Sequence, residues 1–447
     1  MRGAPAPSAP APSAPARPCA WGVGRDCPEQ TAAVRCWPVT AERAAPISDA
    51  DVRRWRLDTP GCADRIHLNN AGAALMPRAV VDAVREHLDL ETRVGGYEAA
   101  ALVAARAEET WADLARLLGA SRRNVAVVEN ATVAVAQALS AIVFQPGDVI
   151  VTTHSDYTSN QLMYLALARR AGIEVIRADD LPEGGVDPDS VRRLVARTRC
   201  RLVALTWVPT NGGMVQAAEA VGAICRVAGV PYLVDACQAV GQLPVDVERV
   251  GCDFLAATAR KFLRGPRGIG FLYVSDRMLD AGAYPMSIDM RGAGLLDEST
   301  FELTPDARRF ENWEFAYALV LGLGAAVRYA LAVGVDVGGA RAAALAGTVR
   351  ARLADLPAVH LVEPGRRHSA IVTAAVDGWE AGDLVLQLRD RGINTSASTS
   401  GPGPFNAPGA AGSSLLRISP HYYNTADEVD TAIAALSDVI ASGPPRS

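Results

Sequence analysis

The chain has 447 residues, 49% of them hydrophobic and 21% charged, and a net charge of −5. That length suffices for two or three domains around substantial cores, and the acidic balance argues against nucleic acid or an anionic membrane as the main partner. Eight cysteines are scattered without a Cys-x-x-Cys pair, so neither a metal site nor a disulfide framework is indicated.

Residues 1–46, opening MRGAPAPSAPAPSAPARP, read as a disordered Pro/Ala-rich tail or an over-extended start; they lack the apolar run of a secretion signal. Ordered structure is expected from Ile47. The pattern is helical from Pro77 to Ala120, interrupted by VGGYEAA at 94–100. Short apolar runs then alternate with helical segments: VAVV (125–128), VIVT (149–152), EVIRA (174–178), LVALTW (202–207) and YLVDA (232–236). This is the βαβ rhythm of a mostly parallel sheet. DFLAATA and GIGFLYV flank the Gly/Pro-rich RGPRG as a strand–turn–strand. A long helix is expected from Arg309 to Val333. The longest apolar stretch, FAYALVLGLGAAV, is bounded by Glu314 and Arg328 and is too short to span a bilayer; a cytoplasmic protein is expected. Beyond it, HLVEP, AIVTAAV, INTSAS and LLRIS alternate with helices at 381–391 and 426–441. The expected division is a large domain over 47–310, then a linker helix and a smaller α+β domain over 311–447.

Of the 44 lysines and arginines, one is lysine: Lys261. Guanidinium stays protonated at any usable pH, whereas a desolvated ε-amine can lose its proton and attack a carbonyl. A site needing charge alone is served by arginine; one needing an imine or a proton shuttle is not. Codon drift leaves a lone lysine at random, so its neighbours decide. Asp235 closes the run YLVD, at the strand end where ligands of open α/β sheets bind. It reads either as a helix cap or as the carboxylate that keeps a pyridine nitrogen protonated. Ala131 and Thr132 open a helix directly after a strand, a place for a phosphate, although Asn-x-Thr before a helix is mostly capping. Thr258 and Arg260, beside the lysine, add a hydroxyl and a fixed charge.

The stretch from VDACQ to GIGFLYV, with RISPHYYNT further on, resembles the pyridoxal phosphate (PLP) core of the class V aminotransferase family, the group that includes cysteine desulfurases. The likeness runs from HLNNAG (67–72) to residue 425. It implies a PLP fold type I α/β architecture, with a mostly parallel seven-stranded sheet in the large domain. It implies Lys261 as the Schiff-base lysine and Asp235 as the ring-nitrogen partner. Gln238 and Thr210 would hydrogen-bond the ring hydroxyl, and Ala131, Thr132, Thr258 and Arg260 would hold the phosphate. Tyr157, placed on a helix, stands where the family usually stacks a histidine on the ring. Arg417 would bind the substrate carboxylate, with Asn70 of HLNNAG also beside the substrate. A homodimer acting on a small amino acid, with no nucleic-acid or membrane partner, is the implied assembly.

Two departures stand out. INTSASTSGPGPFNAPGAAGSSLL (393–416) has no cysteine where desulfurases carry their nucleophile. RRFENWE has Glu314 where the family usually has a threonine that reaches the neighbouring subunit's phosphate. VGGYEAA and LRISPHYYNTADEVD most resemble the C–S lyases of ergothioneine assembly. The expected activity is β-elimination from a cysteine S-conjugate or sulfoxide. Transamination, epimerisation and decarboxylating deamination are the alternatives, and a non-catalytic relic has little use for the lysine.

Overall fold

The computed structural model describes residues 47–399 and 414–444; the N-terminal tail and most of the cysteine-free loop lie outside them. The described residues fall within one compact unit. Its larger sheet has seven strands in the order Val125–Val128, Gly270–Val274, Phe254–Thr258, Tyr232–Asp235, Cys200–Thr206, Val149–Thr152, Glu174–Arg177. Only Gly270–Val274 runs against the others. Successive side chains point to opposite faces of a strand, and here both faces are covered. Val125, Val127, Val203, Leu205 and Val234 feed one core, while Ala126, Val128, Leu202, Ala204 and Leu233 feed a second. Two-sided burial is why these segments read as unbroken apolar runs.

The helical stretch at 77–120 is two helices, Arg78–Val94 and Gly96–Leu118, broken only at Gly95. The single helix expected over 309–333 is corrected. Ala307–Phe310 is a 3-10 turn, residues 311–316 form no regular element, and the helix is Tyr317–Val333. The cause is Glu311. Its buried carboxylate accepts from Val127 N (2.7 Å) and Trp111 Nε1 (2.6 Å) and pairs with Arg291. Those bonds tie the segment to an edge strand of the sheet and to the helix Gly96–Leu118, which holds it out of a helix of its own.

A second, antiparallel sheet orders Val359–Leu361, Val372–Val376, Ser414–Ile418, Ser396–Thr399. The run INTSAS is thereby divided: Ile393–Asn394 pairs with Ile66–His67, and Ser396 begins a strand of this sheet. The first ordered residues are thus stitched to the C-terminal region, with Asn69 bridging to Ser419.

The turn after Tyr232–Asp235 is pressed against the lysine loop. Gly241 has φ +91°, and a Cβ there would lie 2.3 Å from the carbonyl carbon of Phe262. On the far side, His421 Nε2 donates to Phe262 O (2.9 Å) while its Nδ1 accepts from Tyr422 N (2.8 Å). The ring is therefore the neutral tautomer. Burial, helped by the Arg264 charge, pushes its pKa down to about 3 from 6.5.

The unfolded state binds a proton on this histidine below pH 6.5 and the folded state does not until about 3. Stability is therefore full above 6.5 and falls as pH drops, by about 2 kcal/mol from this group between pH 7 and 5. Denaturant titrations at the two pH values should show that part of the difference missing in His421→Gln.

Candidate active site

The parallel strands end along one edge of the large sheet at Thr152, Thr206, Asp235 and Thr258. Two cavities open there, of about 490 and 340 Å³. Both are lined by Tyr157, Thr210, Arg260 and Lys261, so they are lobes of one site.

Lys261 is 9% exposed, and its amine has no hydrogen-bond partner among the described residues. Burial lowers its pKa, against the opposing pull of Cys237 and Asp235; Arg260 and Arg417 lower it further. Such an amine gives up its proton more readily than an exposed lysine. Asp235 is held at both oxygens, Oδ1 accepting from Cys237 N (3.0 Å) and Oδ2 from Asn160 Nδ2 (2.9 Å).

Gln238 Nε2 donates to Ala71 O (3.0 Å) and to Thr210 Oγ1 (3.1 Å), leaving Gln238 Oε1 buried without a partner. Thr210 Oγ1 also accepts from Arg417 Nη1, so its own proton is left to donate into the cavity. Arg417 stands on Ser414–Ile418, paired to Thr373 on one side and Ser396 on the other. Its Nε is buried and unpartnered. Burial, then repulsion from Arg260, pushes its pKa down to about 10. A buried guanidinium with a spare donor is completed by an anion.

At the first turn of Ala131–Ser140, Asn130 accepts from Val133 N (3.0 Å), which leaves the N–H groups of Ala131 and Thr132 for a ligand. Gly270 lets its strand approach this turn: a Cβ there would sit 3.1 Å from Asn130 Cα. Thr258, Arg260 and Arg267 line the same lobe.

Ala131, Thr132, Tyr157, Thr210, Asp235, Gln238, Thr258, Arg260 and Lys261 thus share the larger lobe, and Arg417 faces the smaller. Two expectations change. Tyr157 is the residue before helix Thr158–Ala171, not within it. Asn70 does not line either lobe. Its amide donates to Ser419 O and His67 O and its carbonyl oxygen accepts from Tyr423, so it joins the N-terminal segment to the C-terminal one. The neighbouring Asn69 instead accepts from Arg417 Nη2 (3.4 Å). Asn160 and Arg267 were not anticipated. Arg267 sits in the RGPRG turn (264–268) that closely follows the flagged lysine, whereas no local pattern marks Asn160.

The profile described as Aminotransferase class-V matches residues 66–431, and the chain belongs to that family of PLP-dependent enzymes. It is 27% identical over 403 residues to a probable cysteine desulfurase of Methanothermobacter thermautotrophicus, covering 88% of this chain and 98% of that one. It is 30% identical over 396 residues to a probable hercynylcysteine sulfoxide lyase of Mycobacterium tuberculosis, covering 88% and 94%. Its fold superposes with a TM-score of 0.79 on the apo cysteine desulfurase of Thermococcus onnurineus, at 25% identity over 87% of this chain and 98% of that one. The donor set fits the cofactor. Free N–H groups, a hydroxyl and two guanidinium groups suit a phosphate, and the orphaned Gln238 oxygen suits a ring hydroxyl.

Borohydride reduction of the holoenzyme should place a pyridoxyl label on the peptide bearing residue 261. Lys261→Arg should keep the charge, take no label and lose activity by about 10³-fold or more.

Proposed function

We propose that this enzyme is a carbon–sulfur lyase that eliminates the sulfur group from a cysteine S-conjugate or its sulfoxide. PLP, when bound, supplies an electron sink for the charge that develops at the substrate Cα. Arg417 grips the α-carboxylate with Thr210 beside it, which orients the Cα–H bond. The unpaired amine of Lys261 takes that proton, and Asp235 keeps a proton on the ring nitrogen. The Cβ–S bond then breaks with its electrons on sulfur, which leaves as the first product, and the released aminoacrylate takes up water to give pyruvate and ammonia.

One observation carries this reading. Among the described residues the only cysteine lining the site is Cys237, buried beside Asp235 with its thiol pKa pushed far up by burial. Burial thus disfavours its thiolate, and the sequence has no cysteine after Cys252, which supports a sulfur group that leaves with the small molecule instead of passing to a cysteine of the described site. The sulfoxide lyase among the relatives supports the same outcome.

The chain is further proposed to work as a homodimer. Leu88, Tyr97 and Trp313 line one surface hollow with much of their apolar area exposed, Tyr97 at 83%, the kind of patch that a subunit covers. The five described cysteines are free thiols, which supports action in a reducing cytoplasm.

Holoenzyme given S-alkyl cysteines and their sulfoxides, without any keto-acid acceptor, should release pyruvate in step with the sulfur product. Alanine from free cysteine would indicate desulfuration, and turnover that needs an acceptor would indicate transamination; either result rejects the proposal. Arg417→Gln should raise KM for these substrates by about 10²-fold or more, because the carboxylate loses its bidentate partner.

A further inference from the structure

We propose that Asp156 is a positioning residue that sets both Asp235 and Tyr157 against the cofactor ring. Asp156 lies just before the helix Thr158–Ala171, at the edge of the smaller lobe. Its carboxylate is gripped from three elements at once. Thr152 Oγ1, from one strand end, donates to Oδ2 (2.8 Å), and Thr206 Oγ1, from the adjacent strand end, donates to Oδ1. Gln161 Nε2 donates to Oδ2 (2.9 Å) and Tyr157 N to Oδ1 (2.6 Å), both from the start of the helix. Asn160 Nδ2 reaches Oδ1 at 3.4 Å and Asp235 Oδ2 at 2.9 Å, bridging the two carboxylates.

The order of constraint follows from those bonds. Two strand ends fix Asp156, Asp156 fixes the first turn of the helix, and that turn delivers Tyr157 by its backbone and Asn160 by its amide. An anion before a helix start also meets the positive end of the helix dipole. Burial pushes the Asp156 pKa up, Thr206 and Thr152 draw it back, and the Asp235 charge adds to the rise. With five donors on two oxygens, we take the group as ionised. A second negative charge then stands behind the one that faces the ring nitrogen, and one amide sets the spacing of the two.

A cap that only held the helix would leave the cofactor's electronics alone. The inference rests on Asp235 as the ring-nitrogen partner, so the test includes it. Holoenzymes of Asp156→Asn, Asn160→Ala and Asp235→Asn are titrated with pH while the visible absorption of the bound cofactor is followed. The midpoint should shift in one direction in all three, by about half a pH unit or more in the first two. In those two, kcat should fall about tenfold with KM little changed. If Asp235→Asn shifts the midpoint and Asn160→Ala does not, Asp156 is a structural cap and the proposal fails. If none of the three shifts it, the assignment of Asp235 fails first. Should Asp156→Asn not fold, Asn160→Ala alone decides, since it cuts the bridge and leaves the other four donors in place.

Discussion

A buried guanidinium with no carboxylate partner among the described residues holds the lysine loop. Arg264 is 2% exposed, donates to Leu75 O (2.9 Å), Tyr422 OH (2.8 Å) and Thr59 Oγ1, and lies over the rings of Tyr423, Tyr422 and Tyr329 at 4.4, 5.3 and 5.6 Å. Removing such a charge from water costs several kcal/mol. Desolvated cation–π contacts of about 2 kcal/mol each, with three charge-assisted hydrogen bonds, are of the size needed to offset it. The backbone there is left-handed, at φ +61°, a conformation held only where surroundings over-determine it. Arg264 N closes onto Lys261 O (2.9 Å) and Gly265 N onto Ala259 O (2.8 Å). The contacts that fix Arg264 therefore fix the lysine three residues before it.

Those contacts reach distant parts of the chain. Thr59 and Leu75 come from the N-terminal segment, and Tyr422 and Tyr423 from the segment after the strand that carries Arg417. Asn70, His67 and His421 work in the same layer through their bonds to Ser419, Asn394 and Phe262. These N-terminal residues are thus a clamp between the lysine loop and the strand that carries Arg417. That explains why HLNNAG takes part in the site without Asn70 lining it: one asparagine of the pair spends its groups on the clamp and the other reaches Arg417.

What could be read from the sequence divides along the same physical line. Six strands of the large sheet were legible because burial on both faces leaves a nearly unbroken apolar run, and the edge strand Glu174–Arg177, with Glu174 exposed, from its place in the strand–helix rhythm; the strand ends then located Asp235 and Thr258. Lys261 was legible because a lone amine among arginines is a chemical statement. The helix expected from Arg309 failed because a period-based reading sees apolar spacing and cannot see Glu311 bonded to a strand nearly 200 residues earlier. Asn160 and Asp156 escaped for the same reason. Their partners are on other strands, and an asparagine or aspartate at a helix start looks like an ordinary cap. Long-range polar contacts leave no local signature, whereas apolar periodicity and rare chemistry do.

The electrostatics of the site follow from using arginine everywhere but one place. A guanidinium keeps its charge at any usable pH, which suits Arg260 and Arg417 to the phosphate and the carboxylate proposed for them. Their repulsion and the burial of the pocket both press on the one cation that can yield, Lys261. A second lysine in place of either arginine would share that pressure and could itself lose a proton, leaving an anion without its partner. On the proposed mechanism, guanidinium at the binding positions and an amine at the reactive one concentrate the proton exchange on a single nitrogen. The orphaned Gln238 oxygen and Arg417 nitrogen then belong to the same design, since buried groups left unsatisfied are costly unless a bound molecule completes them.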